Sequence, residues 1–213
     1  MNILLLSGGS GKRLWPLSND IRSKQFIKLF KRDDGIYESM IQRVYRQLKA
    51  VDASVNVTIA TSKSQVSTLQ NQLGDKVNIC VEPARRDTFP AIVLAAVFLH
   101  DKQGVDEEET VIVCPVDPYV NEDYFQAVKE LEKLAKESNI NLTLMGMEPS
   151  YPSEKYGYII PENPLEKVSR VKTFKEKPDL ETAKEYIKSG ALWNGGVFAF
   201  QLKYILKKAH ELI

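Results

Sequence analysis

Gly8, Gly9 and Gly11 fall within the run Ser7-Gly8-Gly9-Ser10-Gly11-Lys12-Arg13. Glycine tolerates φ > 0, so such a run can turn backbone N–H groups inward as an anion nest, and Lys12 and Arg13 add charge where phosphates would sit. Two well-known phosphate loops do not fit. A Walker A loop needs Gly, four residues, then Gly-Lys and Ser or Thr, but Leu6 holds the first position and Arg13 the last. The dinucleotide fingerprint G-x-G-x-x-G lacks its third glycine, because Leu14 stands there. On spacing alone the run is either an anion loop or a tight strand-to-helix turn with solvated basic residues.

Other residues could share that chemistry. Val111-Ile112-Val113-Cys114-Pro115-Val116-Asp117 puts a carboxylate just past the end of an apolar strand, the edge at which parallel sheets bind ligands. Mg²⁺ takes one or two carboxylates plus phosphate oxygens, which makes Asp117 a candidate metal ligand; before Pro118 it reads equally as a turn Asp. Glu82-Pro83-Ala84-Arg85-Arg86-Asp87-Thr88 joins a strand to a helix whose first N–H groups could meet a base edge or a phosphate. Spacing alone favours a capped helix start with solvated arginines. In Glu176-Lys177 a carboxylate stands beside an ammonium, a pair that could hold hydroxyls and an anion or be a solvated strand end. Gly157 between Tyr156 and Tyr158 reads also as a packed strand glycine, and Asn194 in Trp193-Asn194-Gly195-Gly196 as a plain turn.

These residues need a frame, and the patterning supplies one. Asn2 to Leu6 is a short apolar run suited to a buried parallel strand. Tyr37, Met40, Ile41, Val44 and Leu48 predict an amphipathic helix over Ile36 to Lys49. Strands follow at Val55 to Thr61, Val77 to Val81, Thr110 to Cys114 and Leu142 to Met147, alternating with helices at Ser62 to Leu73, Phe89 to Gln103 and Asp123 to Glu137. That alternation implies a mainly parallel sheet covered by helices. From Glu148 prolines punctuate short strands at Tyr156 to Ile160 and Val168 to Lys175, a more antiparallel second half. A helix at Leu180 to Lys188, a strand at Gly196 to Phe200 and a helical stretch from Leu202 complete the chain. One domain over 1–213 is the expectation.

Composition narrows the function classes. Lys plus Arg is 29 against 28 for Asp plus Glu, a balance that argues against a nucleic-acid binder. The longest apolar run, Ala91 to Leu99, is far too short for a membrane span, and the N-terminus lacks the build of a signal peptide. Cys80 and Cys114 sit singly in apolar segments and read as buried thiols of a reducing, cytoplasmic protein. Oligomeric state leaves no trace in the sequence.

Leu6-Ser7-Gly8-Gly9-Ser10-Gly11-Lys12-Arg13-Leu14-Trp15-Pro16-Leu17-Ser18, followed by Ser23-Lys24-Gln25-Phe26, closely resembles the signature of sugar-1-phosphate nucleotidylyltransferases, most of all the mannose-1-phosphate guanylyltransferases. The resemblance continues through Glu82 to Ile92, Asp117, Lys155-Tyr156-Gly157-Tyr158-Ile159, Phe174-Lys175-Glu176-Lys177-Pro178 and Trp193-Asn194-Gly195-Gly196-Val197-Phe198, covering essentially the whole chain. It implies the Rossmann-like α/β fold of nucleotide-diphospho-sugar transferases and transfer of a nucleotidyl group from a nucleoside triphosphate, GTP by similarity, to a sugar 1-phosphate. Arg13 and Lys24 would act on the reacting phosphates. Gly8, Gly9, Ser10, Gly11, Lys12, Glu82, Arg86 and Thr88 would bind the nucleotide, and Asp117 would hold Mg²⁺. Gly157, Glu176, Lys177 and Asn194 would bind the sugar phosphate. The chain departs from the family with Lys12 for Thr, Ser23 for Pro, Asp87 for Asn, Phe89 for Ala and Pro118 for His. The family's second metal carboxylate normally lies beyond the Trp-Asn-x-Gly-x-Phe strand, so a chain truncated at its C-terminus is expected. A glycosyltransferase and a non-catalytic nucleotide- or sugar-phosphate-binding domain are the competing readings.

Overall fold

The computed structural model describes residues 1–9, 15–19, 23–137 and 140–212. In chain order the elements are β1 (Asn2–Leu6), β2 (Lys28–Lys31), β3 (Tyr37–Ser39), α1 (Met40–Val51), β4 (Asn56–Ser62), α2 (Val66–Leu73), β5 (Asn78–Glu82), α3 (Thr88–Gln103), β6 (Thr110–Pro115), α4 (Glu122–Lys136), β7 (Thr143–Met147), β8 (Gly157–Pro161), β9 (Val171–Glu176), α5 (Leu180–Lys188), β10 (Leu192–Gln201) and α6 (Leu202–Leu212). The predicted α/β class, with a mainly parallel sheet flanked by helices and a more antiparallel second half, is what the chain forms.

The chain divides into two compact units, 1–143 with 198–213 and 144–197. In the first, β5, β4, β1 and β6 lie side by side and parallel, and Phe198–Gln201 of β10 add antiparallel to β6. β1 is central, so Ile3, Leu4 and Leu5 are all buried, and the strand reads as an unbroken apolar run rather than an alternation. Leu4, Val111 and Val113 join the core under α3 and α6, with Ala95, Ala96, Leu99 and Leu202. α4 packs on β6 and against α1. No helix among the described residues is long and apolar enough to cross a membrane.

In the second unit β8 pairs antiparallel with both β9 and β10, and β7 pairs with β10. Its core is built on Tyr158, wholly buried with Ala183 of α5 and Ala191. The Tyr158 hydroxyl accepts the Ser153 N–H at 2.9 Å and donates to the Ser153 carbonyl at 3.1 Å, which ties the loop before β8 to the strand.

Differences from expectation have physical causes. The helix expected from Ile36 starts at Met40, because Ser39 is a cap: its side chain accepts the Gln42 N–H, and the Gln42 side chain accepts the Ser39 N–H. The residues before it pair instead with β2, a strand the periodicity did not show. β10 begins at Leu192, four residues earlier than expected, because Leu192 and Trp193 find partners in Ile159 and Tyr158. Trp193-Asn194 is therefore strand, not turn.

Candidate active site

In the first unit, the C-terminal ends of parallel strands bring the candidate residues to one edge. β1 ends at Leu6 and runs into Ser7-Gly8-Gly9, β5 ends at Glu82, and β6 leads through Val116 to Asp117. The edge is the one at which open parallel sheets bind ligands. Ser10, Gly11, Lys12 and Arg13 lie outside the described residues.

Gly8 and Gly9 do not take the positive φ that their glycine identity permits. Gly8 supplies room instead. A Cβ there would come to 3.4 Å from Glu82 Oε1, in contact with the carboxylate beside the loop. Burial pushes the Glu82 carboxyl pKa up, and nearby Arg85 partly offsets the shift. Arg86 and Thr88 are exposed at the start of α3. Between them Asp87 has φ 72° and ψ −175°, a region that side chains avoid, and it makes no side-chain cap on the helix.

Lys24 and Asp117, far apart in sequence, meet as an ion pair with Nζ to Oδ2 at 2.6 Å. With side chains 35% and 48% exposed, such a pair adds at most about 1 kcal/mol to stability. Its interest is therefore positional: an ammonium and a carboxylate are delivered together to the sheet edge. Among the described residues no group of three or more His, Cys, Asp or Glu clusters as a metal site. Asp117 fits a cation that completes its shell with phosphate and water oxygens, as Mg²⁺ does, and does not fit a closed protein cage.

The Asp117 loop is braced by residues that the sequence did not single out. Tyr119 stacks on Phe30 of β2, with ring centroids 5.5 Å apart, and the Arg43 guanidinium lies 4.7 Å from the Tyr119 ring centroid. Arg43 is 3.7 Å from the buried Glu38 carboxylate, which also receives two hydrogen bonds from Arg46, at 3.0 and 2.7 Å. That charge-assisted pairing raises the Arg46 pKa. Phe30 is six residues after Lys24 and Tyr119 two after Asp117, so the stack joins the two segments that carry the ion pair. No local sequence signal could show this, since the contact depends on where the β2–β3 hairpin lies.

In the second unit, Gly157 of β8 is the register partner of Glu176 on β9, and the next residue, Tyr158, pairs with Trp193 on β10. Strand alternation then sets Glu176, Gly157 and Asn194 in a row on the face opposite Tyr158 and Trp193. A Cβ at Gly157 would sit 2.6 Å from Glu176 Oε2 and from Phe174 Cζ, so a larger residue would displace the carboxylate that here lies across β8. The Asn194 side-chain carbonyl accepts the Gly196 N–H at 3.1 Å, which fixes the amide. Lys177 stands at the strand end with φ 45° and its ammonium 3.3 Å from Glu176 Oε1. Among the described residues the two non-glycine positions with positive φ are thus Asp87 and Lys177, each in a predicted site motif. Backbone strain concentrates at functional positions because ligand geometry, not local preference, selects it.

Comparison with known proteins shows the family. The family model for nucleotidyl transferases matches residues 2–212. The chain is 34% identical to a mannose-1-phosphate guanylyltransferase of Escherichia coli over 96% of its own length and 45% of the relative's. It is 33% identical to the alginate biosynthesis protein AlgA of Pseudomonas aeruginosa over 98% of its length and 44% of that protein's. It thus spans less than half of these curated relatives. A crystal structure described as a mannose-1-phosphate geranyltransferase from Thermus thermophilus superposes with a TM-score of 0.81 at 31% identity, covering 99% of this chain and 62% of that one. A putative glucose-1-phosphate thymidylyltransferase from Bacillus anthracis shares the fold, with a TM-score of 0.72 at 20% identity over 100% of this chain and 76% of its own. With the family model spanning nearly every residue, the chain belongs to the nucleotidyl transferase family.

Proposed function

We propose that the protein transfers a nucleotidyl group from a nucleoside triphosphate to a sugar 1-phosphate, with GTP and mannose 1-phosphate as the substrate pair. The observation that carries this reading is the Lys24–Asp117 pair at the sheet edge where the glycine loop leaves β1. A phosphate oxygen of the sugar 1-phosphate attacks the α-phosphorus, the bond from that phosphorus to the bridging oxygen breaks, and pyrophosphate leaves with the electron pair. The nucleophile is already an anion, so the reaction needs no general base, in keeping with a chain whose histidines are His100 and His210.

Catalysis is then positioning plus charge neutralisation. Lys24 and Arg13 stabilise charge on the triphosphate, with Gly8, Gly9, Ser10, Gly11 and Lys12 around it. Glu82, Arg86 and Thr88 bind the nucleoside side, where Asp87 offers carboxylate acceptors instead of the amide expected in the family. Asp117 would hold Mg²⁺, which when bound supplies Lewis-acid polarisation of phosphate oxygens. Glu176 and Asn194 hold sugar hydroxyls and Lys177 the sugar phosphate, with Gly157 leaving room at the strand. The choice of GTP and mannose rests on similarity to the guanylyltransferases. A triphosphate substrate makes the cytoplasm the compartment this reading requires.

The test is a pyrophosphate-release matrix of four nucleoside triphosphates against a panel of sugar 1-phosphates with Mg²⁺. Release that requires both substrates, greatest with GTP and mannose 1-phosphate, is the expected result. Nucleotide binding without turnover across the whole matrix would instead favour a binding domain.

A further inference from the structure

A buried hydrogen-bond chain runs to the glycine loop from two elements away. Thr61 Oγ1 donates to Gln65 Oε1 at 2.6 Å, Gln65 Nε2 donates to Ser23 Oγ at 2.7 Å, and Ser23 Oγ donates to the Gly9 carbonyl at 3.1 Å. The side-chain members Thr61, Gln65 and Ser23 are all completely buried. The Gly9 carbonyl can only accept, so the Ser23 proton must point to it. The Ser23 lone pair is then left to receive the Gln65 NH₂, which turns the Gln65 carbonyl toward the Thr61 hydroxyl. One proton arrangement satisfies every member, and a chain of this kind in a dry interior resists displacement of any one of them.

A second stitch runs alongside. Gln25 Nε2 donates to the Ser7 carbonyl at 3.0 Å and to Ser7 Oγ at 3.2 Å, while the Ser7 N–H donates to the Ala60 carbonyl at 2.9 Å. Lys24 lies between the two residues so anchored, Ser23 and Gln25, and its ammonium reaches Asp117.

We propose that Ser23, Gln65 and Thr61 are positioning residues for nucleotidyl transfer: their relay locks the glycine loop at Gly9 to the backbone that presents Lys24. The proposal rests on the functional reading above, with roles for residues which that reading leaves out. A relay that served only folding would lower stability when broken and leave the chemical step alone. A positioning relay moves kcat, because displacement of a charge-stabilising group by about 1 Å costs roughly a hundredfold in rate.

The experiment compares Ser23→Ala, Ser23→Pro, Gln65→Met, Thr61→Val and Thr61→Ser in the whole protein, assayed well below each melting temperature. Ser23→Ala, Gln65→Met and Thr61→Val are expected to lower kcat by about 10- to 100-fold, with KM for the sugar phosphate within about twofold. Thr61→Ser keeps the donor and should retain wild-type kcat. Ser23→Ala combined with Gln65→Met should lose no more than either alone, the mark of residues acting through one chain. Ser23→Pro removes the hydroxyl and should behave as Ser23→Ala. Reduced melting temperature with unchanged kcat in Ser23→Ala and Thr61→Val overturns the proposal. If the wild type turns over no substrate pair, the functional reading fails, and the relay is judged by amide hydrogen exchange at Ser7 to Gly9. Faster exchange in Ser23→Ala supports the lock, and unchanged exchange overturns it.

Discussion

Charge placement at single residues decides how this site responds to substitution and to pH. Arg13 and Lys24 are assigned to the same phosphates, and loss of one preorganised charge-stabilising group costs roughly 100- to 1,000-fold in rate. Arg13→Ala should lower kcat/KM on that scale in the pyrophosphate assay, and a change below about threefold would remove Arg13 from the mechanism. Glu82 gives a pH-dependent counterpart. Burial raises its folded-state pKa, so the folded protein binds its proton more tightly than the unfolded chain does. Stability contributed by the neutral acid is therefore lost as pH rises from the ordinary carboxylate range through the folded pKa. Glu82→Gln stays neutral throughout, so its melting temperature relative to wild type should climb across that window. A constant offset from acid to neutral pH would contradict the assignment. Asp87 and Lys177, the strained positions, show that each motif holds backbone geometry that its local sequence would not choose.

Elements matter here through the braces that tie one to another. The Phe30–Tyr119 stack and the Arg43–Tyr119 contact join the β2–β3 hairpin to the Asp117 loop. An aromatic pair and a cation–π contact together contribute about 1–2 kcal/mol. Tyr119→Ala should cost that much in urea unfolding, whereas Tyr119→Phe, which keeps the ring, should stay within about 0.5 kcal/mol of wild type. In the second unit the Tyr158 hydroxyl satisfies both backbone groups of Ser153 in a buried setting. Tyr158→Phe leaves that N–H and carbonyl without their partner, a loss of about 1–3 kcal/mol that the same unfolding measurement would detect. The helix order was legible in the sequence because apolar spacing such as Ile41, Val44 and Leu48 is local. β2 and β3 were not legible, since a short hairpin whose buried residues are the polar Glu38 and Ser39 has little apolar patterning to display.

At the scale of the whole molecule, the nucleotide residues fall in the first compact unit and the sugar-phosphate residues in the second. Binding to the folded state stabilises by mass action, by about 2.7 kcal/mol at a ligand concentration a hundred times Kd. GTP with Mg²⁺ should raise the melting temperature accordingly, and Asp117→Asn should remove the Mg²⁺-dependent part of the rise while leaving a smaller effect of the triphosphate. An equal rise with and without Mg²⁺ in the wild type would take Asp117 out of the metal role. Cys80 and Cys114 are both free and buried, as expected, and burial pushes their pKa values up to about 11 and about 12.

The sequence by itself determined the order of the helices and of every strand but β2 and β3, the α/β class and the motifs, because periodicity and glycine content act over a few neighbouring residues. It placed Glu176 beside Lys177 for the same reason. Only the tertiary structure decided that Lys24 meets Asp117, that Gly157 clears space for Glu176, that Tyr119 rests on Phe30, and that Ser23 reaches both Gly9 and Gln65. Those partners are separated by 14 to 93 residues, and strand order and register, not local preference, select which of them come into contact.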